Sequence, residues 1–201
     1  MAAPKNNWLL LAIIFLGFCL RTFNLGSIPG QTFDEVFYPV FALNYILGQT
    51  FFSVHPPVGT YLISLSIYIY HLLPWVDPAL SSGINISDLN PVSYRWLNAI
   101  AGTTLIYVAY KLCIELFDKK HLALSAALFF ALDGSLLVDS RFGLINVYLS
   151  LFGFLSVLFL LQHFKGKANM PFLLIGSLLL GLTFSIKWNG LGFWLMSVLF
   201  V

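Results

Sequence analysis

Charge is what this sequence has least of. Charged residues make up 9% of the 201-residue chain, ten basic and eight acidic. Soluble globular domains carry about 25%, so that class is excluded. The net charge is +2 with the basic residues scattered, which leaves no electrostatic footprint for nucleic acid. Cysteine is also scarce. Cys19 and Cys113 both sit inside apolar runs without ligand-like spacing, which fits packing rather than redox or metal chemistry.

What is abundant is apolar bulk: 59% of residues are hydrophobic, twenty are Phe, and mean hydropathy is +0.89. The expected fold class is an all-α polytopic membrane protein, a single transmembrane domain over 1–201. Lys5 precedes an apolar run closed by Arg21. The run has the shape of a signal peptide but no small-x-small cleavage site follows, so a retained first span is expected at about 8–23. Gly26, Pro29 and Gly30 end it. Further spans are expected at about 94–117, opened by Ser93 or Asn90 as a cap, and at 122–138, 144–161 and 172–186. Residues 191–201 begin another span that is incomplete, as in the amino-terminal part of a longer polypeptide. Asp139, Ser140 and Arg141 are expected as a short hydrophilic turn.

Residues 58–74 pose the central topological question. The segment is apolar but short, with Ser64, Ser66, Tyr68, Tyr70 and His71 giving it a polar side. Counted as a span, it puts Lys119 and Lys120 on the opposite side from Lys5. Laid in the interface, it leaves Lys5, Lys119, Lys120, Lys165 and Lys167 together on the cytoplasmic side. The second arrangement is expected, with 24–93 an external loop holding interfacial helices at about 39–47 and 58–74. Asn85-Ile86-Ser87 in that loop matches a glycosylation acceptor pattern.

The stretch from Thr32 to Gly59 sets Asp34 and Glu35 side by side and then His55-Pro56-Pro57. Two local readings are open. Thr32 and Glu35 form a capping box, with a kink at Pro39, or the helix starts at Pro39 and leaves both acids in the loop; the second is favoured. The acids either cap a helix, worth about 1 kcal/mol, or do chemistry. On the same face fall Asp139 and the cations Arg95, Arg141 and Lys187, Arg95 having the alternative of a snorkelling anchor. Fixed cations suit a phosphate leaving group, and a carboxylate suits proton removal from a hydroxyl. Together they describe sugar transfer from a lipid phosphate. His55 fits a structural role better, because its prolines stiffen a turn.

The segment FDEVFYPVFALNYILGQTFFSVHPPVG resembles the signature of the protein O-mannosyltransferases and their bacterial relatives, membrane glycosyltransferases of the C-type fold. The likeness continues through SYRWLNAIAG, ALDGSLLVDSRFGLINVYLSLF and GLTFSIKWNGLGF in the family's order. The resemblance implies inverting transfer of mannose from a dolichyl-type polyprenyl phosphate to Ser or Thr hydroxyls of proteins on the extracytoplasmic face. It implies Asp34 as base and Glu35 as a partner in binding acceptor or donor. Arg95, Arg141, Lys187 and Trp188 fall on family motif positions, and His55 on its HPP, as substrate-contacting residues. Thr60 stands where the family commonly has a basic residue, and Asn146 where relatives often carry an acid. No cofactor is implied, although Asp34 and Glu35 are hard ligands of the kind a divalent cation takes. The partners implied are the polyprenyl-linked donor, a protein acceptor and the bilayer. Two other readings remain: a lipid A or cell-wall glycosyltransferase using another polyprenyl phosphate sugar, and a non-catalytic assembly subunit.

Overall fold

The computed structural model describes residues 7–76, 80–81 and 83–200. Lys5 and Val201, on which the charge count and the incomplete last span partly rest, lie outside the described residues. The fold is all-helical, with no strand among the described residues, and the chain is an integral membrane protein.

Helix α1 (Trp8–Thr22) is followed by an irregular segment and a short 3₁₀ turn at Phe33–Val36, then by α2 (Tyr38–Ile46) and α3 (Val58–Tyr70). The long α4 (Val92–Phe117) begins at Pro91, with Asn90 Oδ1 accepting the Val92 N–H at 3.0 Å, and ends at Asp118 in a left-handed conformation. It leads to α5 (Lys120–Leu132), α6 (Gly134–Arg141), α7 (Asn146–Phe164), α8 (Met170–Phe184) and α9 (Leu191–Phe200). By length and composition α4 and α7 can each cross a bilayer, and α5 with α6 can together form one span bent by 55°. Helices α1 and α8 are apolar helices of 15 residues.

The core runs between α4 and α7 and includes Leu105, Ile145, Val147 and Ile186. A second cluster joins Leu10 and Ile13 of α1 to Ile106 of α4 and to Ala123, Ala127 and Ala131 of α5. The three alanines line one side of α5 at four-residue spacing, which lets α1 and α4 pack closely against it.

Asp139, Ser140 and Arg141, expected as a hydrophilic turn, instead form the last turn of α6. Helix α5 stops at Leu132, and Asp133 starts a new helix by accepting the Leu136 N–H at 2.9 Å. The carbonyls left free at the break are taken by Arg21, which donates to Phe130 O at 2.8 Å and Ala131 O at 3.2 Å. Arg21 is 1% exposed, its guanidinium held inside the bundle.

One end of the bundle gathers several helix termini. Arg141 donates to Leu20 O at the end of α1, and Asn98 near the start of α4 donates to Phe142 O and Leu144 O between α6 and α7. Helix α3 crosses this same end. Its first residue donates Val58 N–H to Ser185 O after α8, its Gly59 lies against Ile145 and Ile186, and Ser66 Oγ donates to Ser93 O. A helix touching the ends of three others is lying across them. Thirteen residues reach only about 20 Å, less than the roughly 30 Å of a hydrocarbon core. At the opposite end, Glu115 on α4 meets Lys167 Nζ at 2.8 Å and Gln162 Nε2 at 3.4 Å.

Close approach of α4 to α6 depends on Gly102: a Cβ there would lie 2.0 Å from Ser140 Oγ and 2.6 Å from Ser140 Cβ. Gly102→Ala is expected to force the helices apart at a cost of about 1–3 kcal/mol, read as a lower midpoint in thermal unfolding of the detergent-solubilised protein.

Candidate functional site

The two adjacent acids have opposite fates. Glu35 is fully buried and paired with Arg95, itself 1% exposed. Its Oε1 accepts from Arg95 Nε at 2.7 Å and from the Gly143 N–H at 2.7 Å. Its Oε2 accepts from Arg95 Nη2 at 2.6 Å and from the Thr32 N–H at 2.9 Å. Arg95 donates its remaining N–H groups to Leu25 O, Ile28 O and Gly30 O at 2.9–3.2 Å. A guanidinium has five N–H donors and a carboxylate about four acceptor sites; both inventories are used up inside the protein.

Glu35, expected beside Asp34 in the chemistry, is thus a structural anchor, and Arg95, expected to receive phosphate, is its counterion. With all its donors engaged, Arg95 has none left over for a phosphate in this arrangement. Both local readings of the acid pair hold in part: Glu35 reaches back to Thr32 as in a capping box, and the α-helix proper starts only at Tyr38, with Pro39 in its first turn.

Asp34 is half-buried, and its carboxylate has no hydrogen-bond partner among the described residues. Phe33, just before it, has φ +57°, a left-handed conformation uncommon for a bulky residue. That twist accompanies a change of side within one residue: Asp34 lines a cavity of about 350 Å³ with Phe37, Tyr38, Phe41, Phe52 and His55, while Glu35 goes into the core. Tyr38 holds its proton, its pKa pushed up to about 12 by burial and by the negative charge of Asp34.

His55 belongs to this cavity. Its backbone N–H donates to Ser53 Oγ at 3.2 Å, and its ring lies 6.1 Å from that of Tyr38, while its Nδ1 is buried without a partner. Burial and then the charge of Lys187 hold the imidazole below its ordinary pKa, with Asp34 opposing. The two influences place both Lys187 and Asp34 near His55.

Lys187 donates to Asn146 Oδ1 at 3.1 Å, and Asn146 Nδ2 donates to Asp139 Oδ1 at 3.2 Å. Asp139 also lies within electrostatic range of Lys187 and Asp34. Thus Asp34, His55, Asp139, Asn146 and Lys187 form one cluster. Arg141 has one donor engaged by Leu20 O at 2.6 Å. Trp188, expected beside Lys187, is 58% exposed with its ring against Phe184. Extended backbone at Lys187, φ −157°, sends the neighbours to different sides. Among the described residues no group of three or more His, Cys, Asp or Glu side chains is placed for a metal ion, and the oxygens of Glu35 are already occupied.

Asn98 carries no expectation from the sequence. It is buried, donates to Phe142 O at 2.8 Å and Leu144 O at 2.6 Å, and accepts from Tyr148 Oη at 2.7 Å. It shapes the turn from which Asp139 and Asn146 reach the site. A polar residue three positions after Arg95 in an apolar helix was the available signal.

The chain is a helical membrane protein with an unpaired carboxylate and a hydrogen-bonded ammonium gathered at one end of its bundle. The family is narrower: residues 11–201 match the model described as dolichyl-phosphate-mannose-protein mannosyltransferase, and the chain belongs to that family. It is 31% identical over 167 residues to protein O-mannosyl-transferase 1 of Danio rerio, covering 80% of this chain and 22% of that protein. It is 26% identical over 193 residues to dolichyl-phosphate-mannose–protein mannosyltransferase 1 of Candida albicans, covering 93% of this chain and 22% of that protein. The solved Saccharomyces cerevisiae protein O-mannosyltransferase Pmt1–Pmt2 complex bound to the sugar donor superposes with a TM-score of 0.81 at 26% identity. That match covers 96% of this chain and 27% of the solved one. The chain therefore spans about a quarter or less of the length of these relatives.

Arg95→Ala in the complete polypeptide is expected to destabilise it by about 3–5 kcal/mol, the range for stranding one partner of a buried pair, read by thermal unfolding in detergent. His55 is expected to titrate below 6.5, because burial and the nearby ammonium both disfavour its charged form. NMR of ring-labelled histidine checks this, and a midpoint above 6.5 contradicts it.

Proposed function

We propose that this chain carries the base and part of the donor-phosphate site of an inverting mannosyltransferase. The donor is mannose on a polyprenyl, dolichyl-type phosphate, and the acceptor is a Ser or Thr hydroxyl of a protein. The observation that carries this reading is the contrast between the acids: Glu35 is saturated with hydrogen bonds, whereas Asp34 faces a cavity with none. A carboxylate without donors has its lone pairs open to an incoming hydroxyl.

In the proposed step, Asp34 takes the hydroxyl proton as the acceptor oxygen bonds to C1 of mannose from the face opposite the phosphate. The C1–O bond to phosphate breaks, and polyprenyl phosphate leaves with the electron pair. One displacement at C1 inverts the configuration. Charge grows on the departing phosphate oxygens, and Lys187 is the cation beside this cluster that can answer it. Arg141, with only one donor engaged at Leu20 O, is proposed as a second phosphate contact. His55 is proposed to support the cavity wall and to touch substrate through its unpartnered Nδ1. Trp188, exposed beside Phe184, is proposed to contact the prenyl chain or the bilayer.

The cavity is proposed to face the extracytoplasmic side. Lys165 and Lys167 meet Glu115 at the far end of the bundle, and Lys119 and Lys120 follow the end of α4 there. A concentration of lysine marks the cytoplasmic side. On this reading α3 lies in the outer interface, with Tyr61 and Tyr68 among its exposed residues.

Asp34→Asn in the complete polypeptide is expected to lower turnover by about 10²–10⁴-fold, the range for losing a general base, with thermal stability unchanged because no hydrogen bond is lost. Membranes supplied with labelled polyprenyl phosphate mannose check this. Undiminished turnover removes Asp34 as base, and label entering lipid rather than protein replaces the acceptor.

A further inference from the structure

Gln31 stands three residues before Asp34 in the same short segment, yet the two side chains line different cavities. The second cavity, of about 380 Å³, lies between that segment, one side of α2 and residues 83–87. Its polar lining is Gln31, Asn44, Gln49, Asn85 and Ser87, four carboxamides and a hydroxyl. No acid, no base and no aromatic side chain lines it. Gln31 Nε2 is enclosed without a hydrogen-bond partner among the described residues, and the side chains of Asn44, Gln49 and Ser87 hold none there either.

This lining selects a ligand by its chemistry. An enclosed N–H without a partner is costly, so a ligand that supplies an acceptor gains by binding. A carboxamide offers two donors and a carbonyl acceptor, the same groups that a peptide bond presents in return. Such pairing reads backbone whatever the side chains are, and without charge it does not sort acidic sequences from basic ones. An attached sugar would use the same donors, but sugar rings favour an aromatic face to stack on, and this cavity has none.

Position ties the cavity to the proposed base. Phe37, Tyr38 and Phe41 line the cavity of Asp34, whereas Val40, Leu43 and Asn44 line the second one. At about 100° per residue, these two sets lie roughly a third of a turn apart around α2. Around a helix about 10–12 Å thick, that separation is on the order of 10–15 Å, or about three to five residues of extended chain at roughly 3.3 Å each.

We propose that the second cavity is a subsite for the acceptor polypeptide: Gln31 and Asn44 hydrogen-bond its backbone about three to five residues from the hydroxyl presented to Asp34. The inference rests on the transferase reading above and deepens it by assigning how the acceptor is held.

The test uses the complete polypeptide in detergent, labelled polyprenyl phosphate mannose, and two peptides with a single Thr among neutral residues. The short peptide has one residue on each side of Thr, and the long one has six. The wild-type protein is expected to show a KM about tenfold lower for the long peptide, the order of one or two added hydrogen bonds. Gln31→Leu combined with Asn44→Leu is expected to bring the ratio of the two KM values close to one. A merely structural role for these residues would shift both KM values and keep their ratio. N-methylation of the long peptide's backbone three to five residues from Thr is expected to abolish its advantage in the wild-type protein, while exchange of side chains there leaves it. A ratio unchanged in the double variant, or an advantage that survives N-methylation, overturns the inference and leaves the transferase reading intact. So does an advantage that arises only when a neighbouring Thr already carries mannose, which makes the cavity a sugar site. A wild-type protein that labels neither peptide nor any protein overturns the transferase reading itself.

Discussion

A buried ion pair in a chain with few charges has to be completely hydrogen-bonded, and the Glu35–Arg95 pair meets that condition with no group left over. Its partners come from the irregular segment after α1, the turn before α2, the start of α4 and the connection between α6 and α7. The segment after α1 and the connection between α6 and α7 have no regular ladder to hold them in place. The low dielectric that makes an unpaired charge costly also makes a satisfied network rigid. Four separate pieces of chain are thereby placed relative to one another. The connection at Gly143 has little room: a Cβ there would come within 3.1 Å of Tyr94 and 3.0 Å of Pro39.

The site follows from that placement. Once Glu35 is drawn into the core, the turn at Phe33–Val36 presents Asp34 to the cavity with nothing to pair with. The Gly143 N–H, donated to Glu35 Oε1, also brings in the connection to α7, and Asn98 with Tyr148 shapes the same turn, so Asn146 arrives beside Lys187. The base proposed at Asp34 is thus placed by residues that do not line the cavity. The division is between an acid bound into the core and an acid left without a hydrogen-bond partner among the described residues.

The rest of the bundle obeys the same shortage of polar partners. Where α5 breaks, the carbonyls of Phe130 and Ala131 are met by Arg21, as suits backbone inside a membrane domain. Serine and threonine side chains return hydrogen bonds to their own or neighbouring backbones, as Ser66 does to Ser93 O and Ser156 to Gly176 O. Helix α3 ties two of its serines to neighbouring segments, with Ser64 Oγ donating to Ala42 O and Ser66 Oγ to Ser93 O.

Much of this was legible in the residues. Long apolar runs bounded by Gly, Pro and Lys located the helices, because hydropathy and helix termination are local properties. The family likeness was legible too, since its motifs keep their order along the chain. The Asp-Glu pair stood out because acids are rare here, yet adjacency said nothing about which of the two would be buried. That depended on Arg95, sixty residues away in sequence, and on a backbone N–H at Gly143. The helix at Gly134–Arg141 was equally hidden, because its cap is local but its necessity arises from Arg21 across the bundle. By itself the sequence determined the class and the family, both set by composition and short-range pattern. Only the tertiary structure decided which polar groups meet, because in a chain this apolar each charge takes its meaning from the distant partner that satisfies it or fails to.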